Sequence, residues 1–139
     1  MRLVQDILQE KGSDVYCVGP DATIFEAVQQ MADKGVGAML VMENGKPVGI
    51  VTERDYARKV ALEGRSSRQS LVREIMSTRV LCVNPQRTIE DCMALMTDKR
   101  ARHLPVVDHK NVIGVISIGD LVKAVIAEQK FVIDQLHDY

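Results

Sequence analysis

The sequence predicts an α+β fold built from two tandem β-α-β-β-α repeats that pack together with pseudo-twofold symmetry. Three observations carry this. The chain matches itself at an offset of 65 positions. Both copies order their apolar patterns in the same way. Neither copy alone is long enough to fill a good core, so the two are expected to share one. The match runs without a gap from Val15 on Val80 to Val60 on Val125 and holds 13 identities in 46 pairs. Chance at average residue usage gives roughly three.

The elements follow in order. A short apolar strand, Val15–Val18 or Val80–Val83, runs into Gly19-Pro20 or Asn84-Pro85, which punctuate a turn. A helix starts at Thr23 or Thr88. Thr23-x-x-Glu26 is a capping box and Thr88-x-x-Asp91 a near-match. Ile24, Ala27, Val28 and Met31 give the first helix an apolar face, which Ile89, Cys92, Met93 and Met96 repeat. Strands Ala38–Met42 and His103–Val107 come next, each before a polar turn. Asn44-Gly45 in the first turn is a strong hairpin signal. Third strands at Val48–Val51 and Val112–Ile116 lead into second helices near Glu53 and Ile118.

A weaker echo lies upstream. Val4-Gln5-Asp6-Ile7-Leu8 resembles Val72-Arg73-Glu74-Ile75-Met76 at an offset of 68, so the first connection is three residues longer, at Lys11 to Ser13. The polar run Gly64 to Ser70 reads as a linker. The resulting division is 1–64 for the first repeat with an N-terminal helix, 65–71 for the linker, and 72–139 for the second repeat. Its tail, with Phe131, Val132, Ile133 and Leu136, extends the last helix.

Composition narrows the function. The chain has 139 residues, of which 46% are hydrophobic, 27% charged and 4% aromatic, with a net charge of −1. That balance gives no electrostatic case for nucleic acid or a membrane surface. No run is long enough to span a bilayer, and the first residues lack the apolar core of a signal peptide. Cys17, Cys82 and Cys92 show no C-x-x-C spacing. An odd count points to free thiols and a cytoplasmic setting. Cys17 and Cys82 occupy one repeated apolar position and are expected in the core; Cys92 lies on a helical apolar face. His103, His109 and His137 have no metal-ligand spacing. No nucleophile stands beside a base, so no enzyme is expected.

The chemistry sits where the third strand ends. Gly49-Ile50-Val51-Thr52-Glu53-Arg54-Asp55 aligns with Gly114-Val115-Ile116-Ser117-Ile118-Gly119-Asp120. Both read glycine, two apolar residues, a hydroxyl residue, two variable residues and aspartate. Hydroxyl-x-x-Asp at a strand-to-helix junction is also the spacing of an ordinary capping box. In this duplicated context the sequence resembles the CBS-domain family, and the pair resembles a Bateman module, over nearly the whole chain.

That resemblance implies an adenine-nucleotide site. Thr52, Asp55, Ser117 and Asp120 would hold ribose and phosphate. A carboxylate can accept from both hydroxyls of a ribose diol, and a hydroxyl beside free N–H groups suits a phosphate oxygen. Tyr16, Val36, Gly37 and Ala38 would line the adenine pocket in one half, and Leu81 and Ala101 in the other. Arg54, Arg100, Arg102 and His103 have no basic counterparts across the repeat. They are assigned to phosphate, since guanidinium groups suit bidentate contact. The ligand expected is AMP foremost, with ATP or NAD as alternatives, and no catalytic cofactor or metal. The resemblance also implies a homodimer, with the apolar faces of the first helices as contact, and an effector protein acting in trans. The competing reading is an interaction or dimerisation module without useful ligand binding.

Overall fold

The computed structural model describes residues 2–137. The predicted β-α-β-β-α order is present in the first half, and the second half keeps it without a leading strand; helix α1 at Val4–Lys11 precedes both. The first half holds β1 (Cys17–Val18), α2 (Ile24–Lys34), β2 (Ala38–Glu43), β3 (Lys46–Thr52) and α3 (Glu53–Tyr56), which continues as a π-helical turn at Ala57–Ala61. A single 3₁₀ turn, Val72–Glu74, follows the linker. The second half holds α4 (Ile89–Lys99), β4 (His103–Asp108), β5 (Asn111–Ser117) and α5 (Ile118–His137).

Sheet register repeats across the halves. β2 pairs antiparallel with β3 from Ala38 opposite Thr52 to Glu43 opposite Lys46, and β4 pairs with β5 from His103 opposite Ser117 to Asp108 opposite Asn111. The leading strands are shorter than the sequence suggests. Only Cys17–Val18 pairs with β2, in parallel, and 80–83 keeps one bridge, Val83 to Val106. The hairpin turns share one backbone form. Asn44 and Gly45 have φ of 53° and 76°, and His109 and Lys110 have 49° and 68°. Two successive positive φ values define the type I′ hairpin. Asn-Gly adopts it easily, whereas His109-Lys110 adopts it at a steric cost.

The compact units do not follow the repeat boundaries. One unit is residues 15–80; the other is residues 1–14 together with 81–139. The division at 64 and 72 follows the sequence repeat, and the packed bodies divide at 14/15 and 80/81 instead. The reason lies in the upstream echo, whose two copies trade places. Val4, Ile7 and Leu8 are buried with Val83, Ile89, Met96 and Leu104 of the second half. Val72 and Ile75 are buried with Val18, Ile24, Met31 and Val51 of the first. The backbone contacts are matched. Val4 N–H donates to Arg87 O at 2.9 Å and Ile89 N–H to Arg2 O at 3.2 Å, while Val72 N–H donates to Ala22 O at 2.9 Å and Ile24 N–H to Ser70 O at 3.0 Å.

Two glycines allow the close approach. A Cβ on Gly114 would lie 2.6 Å from Leu8 Cδ2. A Cβ on Gly49 would lie 2.7 Å from Met76 Sδ and 2.9 Å from the Ser77 carbonyl oxygen. Leu8 and Met76 are equivalent in the echo, so one constraint acts twice.

The apolar faces of the first helices are spent inside their own units. Ile24, Ala27 and Met31 of α2, and Ile89, Cys92 and Met96 of α4, are buried in separate cores. They cannot be the dimer contact expected from the sequence. The exposed apolar side chains lie elsewhere, chiefly on α5 at Val122, Ile126, Phe131, Val132, Ile133 and Leu136. Cys17 and Cys82 are exposed rather than buried, because their strand positions face away from the cores; Cys92 alone is buried. No helix among the described residues is long and apolar enough to cross a membrane.

Gly49→Ala is expected to cost about 1–3 kcal/mol, the scale of overpacking a filled interior. Gly114→Ala should cost less, because a leucine side chain can rotate and the Ser77 backbone cannot. Urea midpoints at unchanged m-value check both.

Candidate functional site

β3 ends at Thr52, whose extended backbone (φ −127°, ψ 161°) hands the chain to α3. Thr52 Oγ1 accepts from the Asp55 N–H at 3.0 Å, and Asp55 Oδ2 accepts from the Thr52 N–H at 3.0 Å. The pair is a closed capping box. Asp55 Oδ1 faces Lys59 Nζ at 3.4 Å, one turn on in the π-helical segment. Lys59 also donates to Ile75 O at 3.0 Å. Ala38 lies opposite Thr52 in the sheet, and Gly37 O accepts from the Glu53 N–H at 3.0 Å. A Cβ on Gly37 would find only the end of Glu53, at 3.9 Å, so its surroundings are open. Tyr16 and Val36 are half-buried against this unit's core, with Lys34 Nζ 5.6 Å from the Tyr16 ring centroid.

The second half repeats the box. Ser117 Oγ accepts from the Asp120 N–H at 3.1 Å, and Asp120 Oδ2 accepts from the Ser117 N–H at 2.8 Å. His103 lies opposite Ser117, and Arg102 O accepts from the Ile118 N–H at 2.9 Å. Leu81 and Ala101 pack on this unit's core. Here the cation comes from α1. Lys11 Nζ donates to Asp120 Oδ2 at 2.7 Å and to Val115 O at 2.8 Å.

These charges set the ionisation of the site. Burial pushes the Asp120 carboxyl up, but the Lys11 ammonium and the Ser117 N–H together outweigh it and hold the group below 3.8. Burial lowers His103 below 6.5; Lys11 and Arg102 lower it further, and Asp120 only partly opposes them. The shift favours the neutral imidazole.

The arginines are exposed. Arg54 sits in the first turn of α3, and Arg102 just before β4. Arg100 caps α4 in the left-handed conformation, φ 55°, where the first half has Gly35 at φ 68°. None of the three has an ion-pair partner among the described residues. Two neighbours of the boxes escape a motif reading. Lys59, four residues after Asp55, is visible as an i,i+4 partner once the helix is accepted. Lys11 is 109 positions from Asp120, and its only signal is its place in the longer first connection.

Fold and duplicated box together define a tandem-repeat module of regulatory type. The CBS domain profile matches residues 4–62 and 72–127, so the chain belongs to the CBS-domain family. It is 38% identical over 146 aligned positions to the mitochondrial CBS domain-containing protein CBSX3 of Arabidopsis thaliana, covering 98% of this chain and 70% of that one. It is 39% identical to CBS domain-containing protein YhcV of Bacillus subtilis, over 78% of this chain and 77% of the relative. Among solved structures, a CBS-domain protein from Burkholderia ambifaria MC40-6 superposes with a TM-score of 0.88 at 50% identity, covering 92% and 96% of the two chains. The CBS-domain pair of MJ0100 shares the fold, with a TM-score of 0.81 at 22% identity and coverage of 92% and 98%.

His103 makes a pH-dependent contribution to stability. The unfolded chain binds its proton more tightly than the folded chain, so stability rises with pH through the window ending near 6.5. The Asp120 contribution has the other position: it is present above 3.8 and lost as pH falls through the lowered folded value. His103→Asn should flatten the rise between pH ~5 and ~7, read as urea midpoints across that range. An unchanged slope would remove His103 from the account.

Proposed function

We propose that this chain is a regulatory module that binds an adenine nucleotide and passes its occupancy to an effector protein in trans, without catalysis. The ligand is AMP foremost, with ATP or NAD as alternatives. The observation that carries the reading is the duplicated box. Two strand-to-helix junctions present the same hydroxyl and carboxylate in the same geometry. Each lies beside the open end of a hairpin whose residues (Val36, Gly37 and Ala38; Ala101, Arg102 and His103) are half-buried or exposed.

In this reading Asp55 and Asp120 take the ribose hydroxyls, and Thr52 and Ser117 turn from capping toward phosphate. Tyr16, Val36, Gly37, Ala38, Leu81 and Ala101 meet adenine. Arg54, Arg100, Arg102 and His103 meet phosphate, His103 through its imidazole N–H. The left-handed Arg100 supports a role for its side chain, since glycine would hold that backbone at lower cost. The MJ0100 pair, alike in fold, is complexed with 5′-methylthioadenosine and S-adenosyl-L-methionine, which supports the adenosine class. Exposed free thiols at Cys17 and Cys82 support a reducing, cytoplasmic setting.

Calorimetric titration with AMP, ATP and NAD, and GTP as control, tests the reading. Saturable adenosine-specific binding should weaken about tenfold or more on Asp55→Ala or Asp120→Ala, the scale of hydrogen bonds to a charged group. No binding of any of the four would leave the interaction-module reading, which the self-satisfied boxes favour.

We also propose that the chain forms a homodimer along α5. Ile118, Val122, Val125, Gln129, Val132 and Leu136 alternate at intervals of four and three. That is a heptad seam, with Gln129 as the one polar position that fixes register. A hexameric CBS-CP12 protein from bloom-forming cyanobacteria, 32% identical, shows that relatives assemble. Val132→Glu combined with Leu136→Glu should turn a dimer into a monomer in sedimentation velocity. A monomeric wild type would assign the seam to the effector instead.

A further inference from the structure

We propose that Lys11 is a built-in occupant of the second ribose box, and that an arriving nucleotide must expel it. The proposal rests on the nucleotide reading above. Asp120 Oδ2 already accepts two donors, the Ser117 N–H at 2.8 Å and Lys11 Nζ at 2.7 Å. A ribose diol needs both carboxylate oxygens, and this one is taken. Lys11 is also tied at a second point, the Val115 carbonyl at 2.8 Å.

The two halves reach this state by different routes. In the first half the carbonyl equivalent to Val115, that of Ile50, accepts from the Ser77 backbone N–H at 2.9 Å. Its box carboxylate faces Lys59 from its own helix, at the looser distance of 3.4 Å. The position equivalent to Lys59 is Ala124, so the second half has no cation of its own there. Lys11 takes over both tasks. It stands at the start of the three residues by which the first connection exceeds the second, and this extra length lets α1 run a further turn to reach the box. The ammonium can leave without loss of packing, since Leu8 rather than Lys11 anchors α1 beneath Gly114. Lys11 is exposed and Asp120 only 18% exposed, so the lysine can exchange into water while the carboxylate stays in place.

Expulsion gives the module an output. Lys11 is the last residue of α1, and its side chain ties that turn to β5 and α5. With Nζ displaced, the last turn of α1 and the connection at Gly12 to Asp14 lose their tether. Occupancy of the second box is then written into the order of α1.

The test uses the full chain in an Asp55→Ala background, which isolates the second box, titrated with AMP and ATP. Lys11→Met should bind AMP about two- to fivefold tighter, the scale of an exposed lysine–carboxylate pair. Lys11→Arg, which keeps the cation, should bind like the parent. Amide exchange at Lys11 and Gly12 should quicken when AMP saturates the parent, and should already be fast in Lys11→Met without ligand. Weaker or unchanged binding by Lys11→Met, or exchange that ignores AMP, overturns the proposal while leaving the nucleotide reading intact. If neither the parent nor the wild-type chain binds a nucleotide, the reading itself fails and this inference falls with it.

Discussion

The close approach of a side chain to a glycine backbone organises each unit. Leu8 above Gly114 and Met76 above Gly49 bring the upstream segments within reach of β5 and β3. Everything nearby follows from that contact. It buries Val4, Ile7 and Val72, Ile75 as core rather than as flanking sequence. It places the Ser77 backbone on Ile50 and the Lys11 ammonium on Val115. The residues that close the cores therefore also deliver the groups that stand at the two boxes. Packing and the proposed site share one small patch, since glycine there serves packing and the third residue beyond it is the box hydroxyl.

The boxes meet a local structural need before any ligand is considered. Thr52-Asp55 and Ser117-Asp120 satisfy the free donors at a helix start, as any capping box does. In both, the carboxylate also lies against a lysine that donates to a backbone carbonyl. The hydroxyl, carboxylate and ammonium thus compensate one another. The two boxes are alike in shape and unlike in how the cation is held. Lys59 sits in the same helix as its partner, whereas Lys11 comes from a separate element, a difference that gives the halves different freedom.

Most of the fold was legible because it is written twice. Any strand or helix signal at 15–60 could be checked against 80–125, and the two agreed in order and type. Thr23-Glu26 reads as a capping box and forms one, at 3.1 and 3.2 Å. What escaped was tertiary. The pattern Val4-x-x-Ile7-Leu8 shows that a helix has an apolar face but not which half it covers, so the exchange of segments was invisible. Cys17 and Cys82 occupy an apolar-looking position, yet a strand alternates sides and only Val18 and Val83 point inward. The apolar faces of α2 and α4 were legible as faces, but periodicity cannot separate a buried core stripe from an interface. Hydroxyl-x-x-Asp could be found by spacing, whereas Lys11 could not, because nothing local links positions so far apart.

The exchanged segments carry a consequence for how such a chain could arise. A lone repeat, cut where the sequence repeats, would keep its glycine and lose the side chain that covers it. Two separate copies could repair each other by lending their upstream segments reciprocally, as in a domain-swapped pair. The tandem chain is the covalently closed form of that arrangement. In the tandem chain the two loans are not identical, since the first carries three extra residues, Lys11 to Ser13. Asymmetry between the sites can therefore arise in a segment outside both motifs, without a change to either box.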